Sequence, residues 1–189
     1  MRCVSKTEAR PDVRGDAPAR QGQGATALRL AVFAATFVGL QSLWSTARGT
    51  VVERTLIDSL IVPVAAWWVN VIWPSVQASA QGARLVSPAG GINVLNGCEG
   101  TDVLFLLMAA LAVAPLSWRA RLAGMAIGAL LVFALNQLRI VVLFQSVRLE
   151  PEWFAALHAV VTPLALTLAV ALFFLAWMRR HAAFPWASA

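Results

Sequence analysis

Polar and apolar positions in this chain alternate over whole segments, not residue by residue. Residues 1 to 26 are rich in Arg, Gly, Pro and Gln and show no apolar periodicity, so the stretch lacks the surface to offset its own ordering entropy and is expected to be a disordered tail. The run from Ala27 to Trp44 has the length needed to cross a hydrocarbon core. Ser45-Thr46-Ala47 resembles a signal-peptidase site, but the long tail and long apolar run favour an uncleaved anchor. Three more apolar runs follow: Asp102 to Trp118, Leu122 to about Val147, and Trp153 to Met178. Arg119-Ala120-Arg121 separates the first two, and Arg179-Arg180 closes the last. The expected fold is an all-α membrane protein, a polytopic helical bundle with spans at about 27–45, 102–118, 122–147 and 153–178, and a short tail at 181–189.

Residues 55 to 76 break the pattern. They are apolar overall but carry Asp58, Pro63, Asn70 and Pro74, with Trp67 and Trp68 in the middle. Tryptophan prefers the membrane interface, and Trp44, Trp118, Trp153 and Trp177 all fall at the ends of apolar runs. The segment is therefore expected to be an interfacial or re-entrant helix on the outer face. In residues 82 to 97, Arg84 to Ser87 and Ile92 to Leu95 flank Pro88-Ala89-Gly90-Gly91, the pattern of a short extracytoplasmic hairpin.

Charge orients these elements. Arg2, Lys6, Arg10, Arg14, Arg20 and Arg29 outnumber Glu8, Asp12 and Asp16, which holds the amino-terminal tail in the cytoplasm, and the basic joints at 119–121 and 179–180 belong there as well. Cys98 then lies outside, which requires an odd number of crossings before it. That parity favours the interfacial reading of residues 55 to 76.

Composition agrees: 59% of the 189 residues are hydrophobic and 13% charged, too apolar for a soluble domain of this size. The net charge of +6 does not point to nucleic acid, because the arginines cluster where membrane topology uses them. Cys3 and Cys98 form neither a disulfide framework nor a zinc spacing. Each is expected to be a free thiol, with no metal and no cofactor.

The stretch Asn96-Gly97-Cys98-Glu99-Gly100-Thr101-Asp102 places a thiol and two carboxylates at the mouth of an apolar run. Arg139 and His158 interrupt later runs. At 1.5 Å per helical residue, Cys98 sits just above its span, His158 about one and a half turns into the last, and Arg139 roughly 12 Å below the outer end of the third, all in the outer half of the membrane. An arginine inside a span costs roughly 2.5 to 3.5 kcal/mol on insertion scales and marks a functional site by default. Asn136 lies one turn deeper on the same face. A nearby imidazole or guanidinium favours a thiolate nucleophile, the guanidinium stabilises an oxyanion, and the imidazole protonates a leaving amine. The structural alternatives are a buried cysteine as a small apolar group, Arg139 paired with Glu99 or Asp102, and His158 bonded to a carbonyl.

Cys98-Glu99-Gly100 before an apolar helix, Asn136-Gln137-Leu138-Arg139 followed by Ile140, and His158 near the start of the last span together resemble the exosortases and archaeosortases, multispanning cysteine transpeptidase-like processing enzymes. The resemblance covers roughly residues 55 to 178. Two positions depart from the family pattern: Glu99 stands where a small residue such as Ser or Thr is expected, and Val161-Thr162-Pro163 follows His158 where a glycine is commoner. The resemblance implies a membrane thiol protease or transpeptidase with Cys98, Arg139 and His158 as catalytic residues and Asn136, Glu99, Gly100 and Asp102 in support. Its substrate would be the carboxy-terminal sorting tail of exported proteins, a short motif followed by a transmembrane helix and a basic cluster. The site would face the outer, periplasmic side of a bacterial cytoplasmic membrane, among membrane lipids. Two other functions fit the pattern: a small transporter or channel component with Arg139 and His158 along an ion path, and a non-enzymatic assembly subunit using the polar residues as interhelical glue.

Overall fold

A computed structural model describes residues 17–94 and 98–181. Among these, the chain forms five helices, α1 Ala17–Ala47, α2 Val51–Ile72, α3 Thr101–Val113, α4 Trp118–Leu149 and α5 Pro151–His181, and three short strands, β1 Ser79–Gln81, β2 Arg84–Ser87 and β3 Gly90–Asn93. Four helical segments are long and apolar enough to cross a membrane: Thr26–Ala47, α2, α4 and α5. The protein is a helical membrane protein.

Several boundaries differ from the sequence-based expectation, each for a local reason. Helix α1 begins at Ala17, inside the stretch expected to be a disordered tail. Residues 17 to 26 include Ala17, Ala19, Arg20, Gln21 and Gln23, good helix formers that extend a helix already nucleated by the apolar run. The rest of that expected tail, residues 1–16, and the carboxy-terminal residues 182–189 lie outside the described residues. Helix α3 stops at Val113, five residues short of the expected span, because Pro115 forces Ala114 into extended backbone (φ −63°, ψ 143°). Ser117 then caps α4, its hydroxyl accepting from Ala120 N–H. Helix α2 starts earlier than expected because Thr50-Val51-Val52-Glu53 is a capping sequence: Thr50 Oγ1 accepts from Val52 N–H, and Glu53 accepts from the N–H of Gly49.

The expected hairpin is a three-stranded antiparallel meander in the order β1-β2-β3. Ser79 pairs with Val86 and Leu85 with Ile92. The side-chain amide of Asn70 both donates to Ala78 O and accepts from Ala78 N–H, each at 2.8 Å, which ties the strand entry to α2.

Helices α2 and α5 contain the same irregularity. Residues Ile57–Ile61 and Leu157–Val161 each form a π turn, closed by Val62 N–H to Ile57 O and by Thr162 N–H to Leu157 O. A proline follows each closing residue, Pro63 and Pro163. Proline has no N–H to donate and its ring crowds the carbonyl four residues back, so widening the preceding turn relieves the clash.

Two apolar clusters hold the fold together. One joins Val62, Ala65 and Val69 of α2, Leu85 of β2, Cys98, and Ile140 and Phe144 of α4. The other joins Leu107 and Leu111 of α3, Val132 of α4, and Leu166 and Val170 of α5. Helix α4 runs through both. At the far end of the second cluster α4 and α5 approach closely at Gly124, where a Cβ would lie 2.6 Å from Trp177 Nε1, and Trp177 donates to Ala120 O at 3.1 Å. The arginines at 119, 121, 179 and 180 gather at this end, and Arg121 donates to Ala114 O.

Candidate active site

Asn136, Gln137 and Arg139 are buried on α4, between the parts of that helix that serve the two clusters. At about 100° per residue they point to three different neighbours. Asn136 Nδ2 donates to Cys98 O at 3.0 Å, Gln137 Nε2 donates to Ile61 O in the first π turn at 3.3 Å, and Arg139 Nε donates to Thr162 Oγ1 at 3.1 Å, just past the second. One helical turn therefore holds the Cys98 loop, α2 and α5 together.

The thiol of Cys98 is buried and faces α5, with Sγ 3.9 Å from Nδ1 of His158. Phe154, one turn earlier, stacks on the imidazole at a centroid distance of 5.5 Å and an interplanar angle of 7°, which fixes the ring plane. The sulfur–nitrogen separation is long for proton transfer; such contacts commonly tighten when substrate binds. Arg139 reaches α5 one turn beyond His158. Its side chain and Thr162 are the polar groups in a cleft of about 200 Å³ between α4 and α5, otherwise lined by residues such as Leu138, Val142, Ala165 and Leu166.

Gly100 makes the loop possible. Its φ of +78° is left-handed, and an added Cβ would lie 3.1 Å from Asn136 Cγ, so only glycine fits this turn without strain. Glu99 is buried and turns away from the thiol: Oε1 accepts from Trp44 Nε1 at 3.2 Å and from Thr101 Oγ1 at 3.5 Å, while Oε2 has no hydrogen-bond partner. Asp102 is exposed and also faces α1, accepting from Gln41 Nε2 at 2.9 Å. Gln41, Ser42, Ser45 and Arg48 complete an open polar cleft beside it. The hydrogen bonds of both carboxylates thus run toward α1 and Thr101. Asn96 and Gly97 lie outside the described residues.

The structure brings Cys98, His158, Asn136 and Gly100 together and joins Arg139 to the same side of α5. Trp44, Gln41, Gln137, Phe154 and Thr162 were not singled out as site residues by sequence reasoning. For Phe154 and Thr162 the signal was present: each is four residues from His158 on one helix face. For Trp44 and Gln41 no local pattern existed, because their partners are more than fifty residues away. No metal-binding cluster of His, Cys, Asp or Glu occurs among the described residues. No protein family, curated protein or solved structure matches this chain.

Proposed function

We propose that the protein is an exosortase-like cysteine enzyme that cleaves the carboxy-terminal sorting tail of exported proteins. The observation that carries this reading is the 3.9 Å approach of Cys98 Sγ to His158 Nδ1, made by residues sixty positions apart on different elements. In this mechanism His158 takes the thiol proton, and the Cys98 thiolate attacks the scissile carbonyl to form a tetrahedral intermediate. Arg139 stabilises the oxyanion. The imidazolium returns its proton to the leaving amine, and an acceptor or water then resolves the thioester.

The reading includes a topology: the basic end in the cytoplasm, Cys98 on the outer face of a bacterial cytoplasmic membrane, and α2 along the outer interface. Asn136, which holds the Cys98 loop, lies eighteen residues past Trp118, about 27 Å of helix and close to the roughly 30 Å thickness of a hydrocarbon core. The α4 residues that pack against α2, such as Ile140 and Phe144, lie beyond that level. Trp67 and Trp68 are 57% and 42% exposed, so both rings are free to sit at the membrane interface that tryptophan prefers. Helix α3, at thirteen residues, is about 20 Å long and needs the loops at both of its ends to complete a crossing.

The test is a reporter protein carrying the carboxy-terminal segment of an exported protein from the same genome, coexpressed with the enzyme. Cys98→Ala and Arg139→Lys are expected to abolish cleavage while the membrane-inserted protein accumulates normally. The lysine variant fails because an ammonium lacks the planar fork of a guanidinium. Normal cleavage by a stably expressed Cys98→Ala variant overturns the enzyme reading.

A further inference from the structure

We infer that Thr162 is a positioning residue for Arg139, and that it couples the guanidinium to the backbone of His158; the inference rests on the cysteine-enzyme reading above. The hydroxyl of Thr162 donates to Leu157 O at 2.8 Å. A hydroxyl has one proton, so the oxygen faces Arg139 as an acceptor only, and it receives the Nε–H at 3.1 Å. The chain therefore has a single direction, from the guanidinium through the hydroxyl to the carbonyl, and each bond polarises the next. Leu157 O belongs to the peptide whose nitrogen is that of His158, and it also takes the N–H of Thr162 that closes the π turn.

Two consequences follow from this geometry. The guanidinium is planar and rigid, so fixing Nε also fixes the directions of the two terminal nitrogens. The carbonyl that anchors the hydroxyl is part of the π turn carrying the imidazole, so Arg139 and His158 are held in one frame, and an oxyanion donor misplaced by about 1 Å loses roughly 10²-fold in rate. Arg139 is 8% exposed and lines, with Thr162, a cleft that is otherwise apolar. Thr162 touches neither substrate nor the reacting atoms in this scheme.

The experiment uses the full chain in phospholipid vesicles with the tailed reporter, comparing Thr162→Val, which keeps shape and β-branching but loses the hydroxyl, with Thr162→Ser, which keeps it. The expected result is a kcat about 10²-fold lower for Thr162→Val at nearly unchanged KM and recovery to within about 10-fold in Thr162→Ser. Wild-type turnover in Thr162→Val or equal impairment in Thr162→Ser overturns it. A second readout does not depend on cleavage: the ¹⁵Nε–H resonance of Arg139, assigned by its loss in Arg139→Lys. It is expected to move in Thr162→Val and stay in place in Thr162→Ser, and an unmoved resonance in Thr162→Val overturns the tie. If Cys98→Ala cleaves normally, the enzyme reading fails on its own, and the resonance still decides whether Thr162 holds Arg139.

Discussion

Single residues at the Cys98 loop do unequal work. Gly100 turns the chain into α3 in a left-handed conformation against Asn136, and Asn136 in turn holds the Cys98 carbonyl. Gly100→Ala therefore strains the backbone by about 1–2 kcal/mol and also presses a methyl group on the Asn136 amide. The expected outcome is a lowered thermal midpoint in detergent and slower alkylation kinetics of Cys98 that differ from those of wild type, measured in a Cys3→Ser background. An unchanged midpoint would show that the loop relaxes around the methyl at no cost. Glu99 is the residue on which sequence reading and structure diverge most. Its neighbour is the thiol, yet its side chain bonds Trp44 of α1, because adjacent residues in an irregular turn point in different directions. Adjacency in sequence is a poor guide to adjacency of function there.

At the scale of elements, the two π turns are where local chemistry and tertiary contact meet. A helical pattern with an internal proline tells a reader that something must yield before it, and Pro63 and Pro163 were visible from the start. What yields, a widened turn that leaves Ile61 O and Thr162 Oγ1 facing α4, depends on Gln137 and Arg139 being there to meet it. Pro163→Ala removes the steric reason for the widened turn. The helix is then free to close in the ordinary register, which turns His158 by about 100° relative to Thr162. The expected outcome is a protein at least as thermally stable as wild type with severely reduced tail cleavage. Full activity at raised stability would show that the π turn is held by packing alone.

For the whole molecule, the four helical segments long and apolar enough to span make it a membrane protein, and the proposed topology orients it. Reporter enzymes fused after Gln77 are expected to behave as exported, because α2 packs on the part of α4 beyond Asn136 and leads into the sheet. A cytoplasmic signal at that site would instead make α2 a true span that returns the chain to the side of the amino terminus, leaving Cys98 on the cytoplasmic face and overturning the proposed topology.

Length and polarity of the apolar runs determined the helical membrane class, since backbone groups in hydrocarbon must be satisfied within the segment. Arg139 and His158 were marked by interrupting those runs, because a polar or charged group inside an apolar span carries a cost that few positions tolerate without a role; the left-handed turn at Gly100 emerged only with the structure. Helix ends were less legible: Ala17 and Val113 were set by continuation of a nucleated helix and by one proline, where boundary signals are weak. The partners of the site were decided only by tertiary structure. That Cys98 meets His158, that Arg139 meets Thr162, and that Glu99 meets Trp44 depend on how helices far apart in sequence pack, and side-chain direction on one element carries no record of what another brings to it.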